Sequence, residues 1–517
     1  MSDNGLNRRA LLRGAGLLAP AAAGFEALQA AQKPGARPKN IIFMVADGMS
    51  PSVLPLAQEY SRLTRGTPLT WQTLLSRPDT RRGWVDMASL DSIVTDSSAA
   101  ASSWGSGSRI FNSWVNMLPD GTRLTPICDV ARGAGLRTGL VTTATVTHAT
   151  PAGFAAVEKS RDNEAGIAEQ YLDKIDVILG GGEKFFSAKT RKDKRDMAAE
   201  FGKHGYALAT NAAELEKISS ARMLGLFSAS HMPYVIDVRN QPKQYSGVPA
   251  LAAMARKALG ALSGAPKGFL LQIEGGRVDH AAHANDIAAQ MQEQIAFDEA
   301  IDVVLAFCAK NPDTLVFITS DHGNSNPGLI GMGYEYVDSN EYFARIQGVR
   351  ASFYDLAPKL GLTAEYTMAN GKKVIARSTP LTLGKIREIA EAALGFALTD
   401  DEAVKLQRYA AGDRELDLNT QHDAAVGLLG EAVGNHVGVQ WTGTTHTSDY
   451  TLYTALGPGS ELFSGLIRNT DVFPALTGLL GAAFRNPTMT PEQARKFYAA
   501  HKETAALRRL SAQPHWV

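Results

Sequence analysis

The sequence predicts an α/β protein: a three-layer sandwich with a largely parallel central sheet, helices on both faces and inserted subdomain segments. Two patterns predict it. Short, mostly apolar runs stop at an acidic residue with a glycine one or two places on, and helical patterns fill the intervals between them. Ile41–Ala46 ends in Asp47-Gly48, Phe269–Ile273 in Glu274-Gly275, and Leu315–Ser320 in Asp321-His322-Gly323. Runs this short and apolar read as strands buried on both faces, the habit of parallel sheets. Segments 126–134, 248–262 and 285–309 carry helical patterns, so strand and helix alternate as an α/β sheet requires.

Composition supports a folded chain. The 517 residues include 44% hydrophobic side chains and 52 basic against 52 acidic groups. That excludes disorder and coiled coil as the main state. The zero net charge argues against nucleic acid as a dedicated partner, which needs a basic excess. Cys128 and Cys308 are too few for a disulfide framework or a Cys-rich zinc site, and allow one bridge at most.

Residues 1–31 differ from the rest. Arg8-Arg9 precede Leu11-Leu12 and an Ala/Gly/Leu stretch, followed by small residues at Ala27, Ala30 and Ala31. This is the pattern of a twin-arginine signal peptide, so an exported protein, periplasmic or secreted, is expected. Arg13 and Pro20 interrupt the segment, which is too short for a membrane span, and no comparable run follows. Residues 32–39 read as a linker and 40–517 as the main domain, with insertions at about 184–246 and 324–440. In the second insertion Asn370-Gly371 marks a tight turn, and helices are expected near 381–394 and 400–433.

The acids at the strand ends suggest a site. In open α/β sheets ligands gather beyond the carboxyl ends of strands. Asp47, Glu274 and Asp321 would project into one crevice, where their mutual repulsion is costly unless cations sit among them. Asp279 and His283 lie four apart, on one face of a helical turn. His322 can reach the same metal as Asp321 if the strand ends there, which Gly323-Asn324 permits. His446 lies in a polar loop ahead of the apolar Tyr450–Leu456. Asp, Glu and His without cysteine suit Zn²⁺, and oxygen-rich neighbours suit Mg²⁺. By spacing alone, His148, His280 and His446 could equally be surface or core histidines.

Thr95-Asp96-Ser97-Ser98 leads into small residues and reads as a helix N-cap. The same geometry sets a serine at the positive end of a helix, where phosphate is favoured. A nearby zinc would make its hydroxyl a nucleophile. Ser98 competes with Ser97 for that part.

Taken in order, Asp47-Gly48, Thr95-Asp96-Ser97, Thr150-Pro151, Arg161, Glu274-Gly275, Asp279 with His283, Asp321-His322-Gly323 and His446-Thr447 resemble the alkaline phosphatase pattern. The match runs from about Asn40 to Leu480. It implies hydrolysis of phosphate monoesters through a phosphoserine at Ser97, with two zinc ions and one magnesium. Asp279, His283 and His446 would hold the zinc that serves the attacking water, and Asp47, Asp321 and His322 the zinc that serves Ser97. Asp47, Thr150 and Glu274 would hold magnesium, and Arg161 would clamp two phosphate oxygens. Family members often form homodimers, and nothing in the sequence marks an interface. There are three departures. Ser98 replaces the usual alanine, and His148 and His280 stand where some members carry Asp and Lys. His148 at its position would ligate the third metal directly. The Cys/Ser-x-Pro-x-Arg segment of sulfatases is absent. Many diesterases of this scaffold use a threonine nucleophile and lack the arginine.

Overall fold

The computed structural model describes residues 37–511 except 363–365, 370–371, 376–379, 414–415, 417, 420–421, 423 and 483. The signal segment 1–31, most of the linker and Asn370-Gly371 lie outside the described residues. The strands flanking that turn, Tyr366–Ala369 and Lys372–Ile375, pair antiparallel.

Ten strands form the central sheet: β1 Asn40–Ala46, β2 Arg81–Asp86, β3 Arg137–Thr145, β4 Val177–Gly181, β5 Ala207–Ala209, β6 Met223–Leu226, β7 Phe269–Gly275, β8 Thr314–Thr319, β9 Thr451–Leu456 and β10 Gly465–Arg468. Their order is β10-β2-β9-β8-β1-β7-β3-β4-β6-β5. Strand β9 runs antiparallel to β8 and β2, and every other pairing is parallel. The sandwich and its largely parallel sheet are as expected.

Successive side chains of a strand face opposite sides, and β1 divides two cores accordingly. Ile42, Met44 and Ala46 enter one core. Ile41, Phe43 and Val45 enter the other. The first is covered by α1 (Val53–Arg65), α5 (Leu251–Leu262) and α7 (Ile287–Cys308). The second is covered by α2 (Ser97–Ser106), α3 (Ile127–Gly133), α4 (Ala149–Ala155) and α8 (Val472–Leu479), while α6 (Arg277–His283), leading out of β7, sends Val278, Ala281 and Ala282 into the first. Cys128 belongs to the second core and Cys308 to the first, so the sheet separates them, and both are buried and free.

Residues 184–246 do not stand apart from the sheet. They supply β5 and β6, which extend it beyond β4, because Met223 and Leu224 point into the two cores in turn. In the long segment 324–440, helices Leu383–Leu394, Asp400–Ala410 and Ala425–Val437 send Ile386, Leu394, Leu406, Leu429 and Val433 into the first core. A smaller cluster joins Leu90, Ile110, Phe111 and Trp114 to Ala494, Phe497 and Tyr498. Among the described residues no helix is long and apolar enough to cross a membrane.

Candidate metal centre and nucleophile

Strands β8, β1 and β7 lie side by side, which brings Asp47, Glu274 and Asp321 together at one end of the sheet, all fully buried. The glycine after Asp47 is a requirement of this packing. Gly48 has φ +63°, its N–H donates to Asp321 Oδ1 at 2.9 Å, and a Cβ there would lie 2.2 Å from Asp279 Oδ1.

Three groups converge: Asp279, His283 and His446; Asp47, Asp321 and His322; and Asp47, His148 and Glu274. Within each, one ligand atom per residue lies within 4.8 Å of the others, and Asp47 is shared. His283, His446 and His322 place Nδ1 at 2.8, 2.9 and 3.2 Å from the carbonyls of Thr444, Thr95 and Gly323. Donating Nδ1–H there leaves the Nε2 lone pairs for a cation. His283 and His446 bring their Nε2 atoms to 3.0 Å. His322 Nε2 lies 3.2 Å from Asp321 Oδ2 and 3.5 Å from Asp47 Oδ1.

The donor set fits divalent cations. Both Asp47 oxygens, Glu274 Oε1 and Thr150 Oγ1 are buried without a hydrogen-bond partner, which is costly unless positive charge satisfies them. Burial pushes the Asp47 carboxyl well above its usual range, and the charges of Asp321, Asp279 and Glu274 push it further. Burial likewise lifts Glu274 to about 7, although the Thr142 hydroxyl, 2.5 Å from Oε2, acts against it. For Asp279 burial is outweighed by His283, His446 and His322, which hold it well below the usual range. Burial and then His322 push His446 down to about 3, so its imidazole is neutral and able to ligate.

The two serines separate clearly. Asp96 caps α2, accepting from Ala99 N at 2.9 Å, and Ser98 donates to both Asp96 oxygens at 2.9 and 2.7 Å. Ser97 Oγ instead lies 3.1 Å from His322 Nε2. It opens into a cavity of about 120 Å³ that Arg161, His148, His280, His283 and His446 also line. Arg161 is 7% exposed, with Nη1 3.0 Å from Asp96 Oδ2 and Nη2 3.0 Å from His148 Nε2. Burial would raise the Asp96 carboxyl, but Arg161, the Ala99 N–H and Ser98 outweigh it and hold it low.

Residues 38–481 match the alkaline phosphatase family. The chain belongs to the alkaline phosphatase family. It is 30% identical over 442 residues to alkaline phosphatase 3 of Bacillus subtilis, covering 84% of this chain and 87% of that one. Identity with the alkaline phosphatase of Escherichia coli is 30% over 338 residues, 56% and 70% of the two chains. The crystal structure of Thermus thermophilus alkaline phosphatase superposes with a TM-score of 0.82 at 35% identity, covering 92% of this chain and 98% of that one.

Within this alkaline phosphatase the residues singled out from sequence, Asp47, Ser97, His148, Arg161, Glu274, Asp279, His283, Asp321, His322 and His446, join the three groups or the cavity, and Thr150, two residues after His148, is buried with its hydroxyl unpartnered. Sequence reasoning missed three features. Thr142 holds Glu274. The Asp96 carboxylate anchors Arg161. His231, 4.4 Å from His280 between ring centres, joins Arg277, which donates to His280 Nδ1 at 2.8 Å and stacks on Tyr234. Asp96 and Arg277 stand beside motif residues and could have been flagged; nothing marks Thr142 or His231.

Proposed function

We propose that this phosphatase is an exported phosphomonoesterase that works through a phosphoserine at Ser97, with two zinc ions and one magnesium. The observation that carries the reading is the position of Ser97 Oγ. It sits at the N-terminus of α2, beside His322 of one metal group, in the cavity that Arg161 lines. Asp279, His283 and His446 would hold one zinc, Asp47, Asp321 and His322 the other, and Asp47, Glu274, Thr150 and His148 the magnesium. Bound there, the ions supply Lewis acidity to the attacking and leaving oxygens. Arg161 grips two phosphate oxygens with its planar fork, which Asp96 holds in place, and the positive end of α2 favours the same anion. Ser97 Oγ forms a bond to phosphorus as the ester P–O bond breaks and the alcohol departs. Water then cleaves the phosphoserine, releasing inorganic phosphate and restoring the hydroxyl. Most of the work is positioning and charge stabilisation, because phosphoryl transfer passes through a loose transition state. Residues 1–31 serve as the export signal in this reading, by the twin-arginine route.

Acid-quenching the metal-replete enzyme with a labelled phosphomonoester tests it. Label is expected on the peptide containing Ser97 and is lost in Ser97→Ala; an unlabelled wild-type protein overturns the covalent step. In the same assay a monoester should turn over faster than a diester or a sulfate ester.

A further inference from the structure

The segment after residue 481, beyond the family match, first packs at the C-terminal end of α2, the helix that Ser97 begins. Asn486 Nδ2 donates to the carbonyls of Ser106 and Thr125 at 2.9 Å, and Ser108 Oγ donates to Pro487 O at 2.7 Å. Further on, Tyr498 donates to Leu90 O at 3.1 Å and packs against Phe111 with the rings tilted by 60° and their centres 5.4 Å apart. His501 lies 4.6 Å from the Phe111 ring and 5.9 Å, edge on, from Trp114. Its Nε2 is 3.2 Å from Asp91 Oδ2.

Phe111 and Trp114 flank two residues that reach the phosphate-binding arginine. Asp91 Oδ1 accepts from Asn112 N at 3.1 Å. Asn112 Oδ1 accepts from Asp96 N at 2.9 Å, and its amide donates to Val94 O at 3.0 Å. Ser113 N donates to Asp96 Oδ2 at 2.9 Å, the same oxygen that Arg161 Nη1 meets at 3.0 Å. Ser113 O accepts from Arg161 N at 2.9 Å, and Val115 and Glu158 exchange two backbone bonds beside it. Ser113 holds φ at +69°, a left-handed conformation a serine keeps only when its neighbours over-determine it.

We infer that the C-terminal segment 489–501 is a strap that positions Arg161, with His501 as its positioning residue acting through Asp91, Asn112 and Asp96. The strap clamps both sides of residues 112 and 113. Those residues fix both the carboxylate on which the guanidinium rests and the backbone from which Arg161 projects. No residue of the strap lines the cavity into which Ser97 and Arg161 open. Its effect is therefore on how well Arg161 is aimed, and it rests on the reading of Arg161 as the phosphate clamp.

The test compares His501→Ala, His501→Gln and a chain ending after Thr488 with wild type, all metal-replete, each also in an Arg161→Ala background. The measurements are kcat/KM for an aryl phosphate, the inhibition constant for inorganic phosphate, and metal content. With Arg161 present, His501→Ala and the truncation should raise the phosphate inhibition constant by about three- to tenfold, the usual reach of such a network. Metal content should not change. His501→Gln, whose amide can still donate to Asp91, should recover part of the loss. In the Arg161→Ala background the same changes should have no further effect. Unchanged phosphate inhibition, or an equal shift with and without Arg161, overturns the strap. If Arg161→Ala itself leaves phosphate inhibition unaltered, the clamp reading fails instead. Should the truncated chain not fold, the two His501 substitutions carry the comparison alone.

Discussion

At the scale of single residues the proposed mechanism divides the site into groups that would hold cations and groups that would handle phosphate, and substitutions should separate them. Ser97→Ala removes the proposed nucleophile but leaves every proposed metal ligand in the chain, so kcat should fall by about a thousandfold or more while bound metal stays at the wild-type level. Asp321→Ala removes a carboxylate whose partners are His322 and the Gly48 N–H. It should lose activity and metal together, as metal analysis after gel filtration would show. Arg161→Ala should weaken phosphate inhibition by about 1.5–3 kcal/mol, the worth of a charge-assisted hydrogen bond, with metal content intact. These residues were legible in the sequence because their chemistry restricts the residue type and because each sits at the end of an apolar run or at a helix start. Their supports were not. Asp96 meets Arg161 across 65 residues, and Thr142 meets Glu274 across 132. A threonine or an N-cap aspartate carries no mark of which distant side chain it will meet.

At the scale of elements, the apolar runs β1, β7 and β8 and the helices α5 and α7 could be read directly, because burial on both faces or on one stripe leaves a periodic trace. Two elements left little trace. Strands β5 and β6 are short pieces within a charged segment, so 184–246 read as an insertion although it widens the sheet. The pairing of His446 with Asn324, which carries His446 to the metal groups, joins two-residue strands too short to show periodicity. The packing of α2 on α4 was equally hidden, yet it sets the distance between Ser97 and Thr150. A Cβ on Gly105 would lie 1.9 Å from Gly153 O, and one on Gly153 would lie 2.6 Å from Ala101 Cβ and 2.7 Å from its backbone carbon. Backbone cannot yield as a flexible side chain can. Gly153→Ala gains helix propensity of about 1 kcal/mol, but overpacking costs about 1–3 kcal/mol, and contact with fixed backbone puts it toward the upper end. Net destabilisation is expected in a denaturant titration, together with weaker retention of the magnesium proposed there, since α4 carries Thr150 and is preceded by His148. A variant as stable as wild type would show that the two helices can separate.

At the scale of the whole molecule, the proposed cations would act as part of the fold. Three strands and a helix end deliver Asp47, Glu274, Asp321 and Asp279 to one buried volume, where histidines offset Asp279 and Asp321 while Asp47 and Glu274 depend on a cation for compensation. In the metal-free protein Asp47 and Glu274 take up protons, Asp47 well above its usual range and Glu274 near 7, burial being the main cause for both. An acid whose folded pKa is raised stabilises the fold fully below its unfolded pKa and loses that contribution as pH rises through the folded value. For Glu274 the window runs from about 4.5 to about 7. Chelated protein should therefore lose stability as pH climbs through this window. Protein loaded with zinc and magnesium should not show the Asp47 and Glu274 part of that loss, because the cations keep both groups ionised. Asp286 and Glu293, each lifted to about 7 by burial, slope the same way in both forms and cancel in the comparison. Asp279 and Asp321 are held low instead, so their stabilisation is lost only below about pH 4, outside the window. Thermal melts at half-unit pH steps, with and without exhaustive chelation, should show the two curves diverging upward from about pH 5 and re-addition of zinc and magnesium closing the gap. Parallel curves would mean that the carboxylates are relieved in some other way and that the cations contribute chemistry without holding the crevice together.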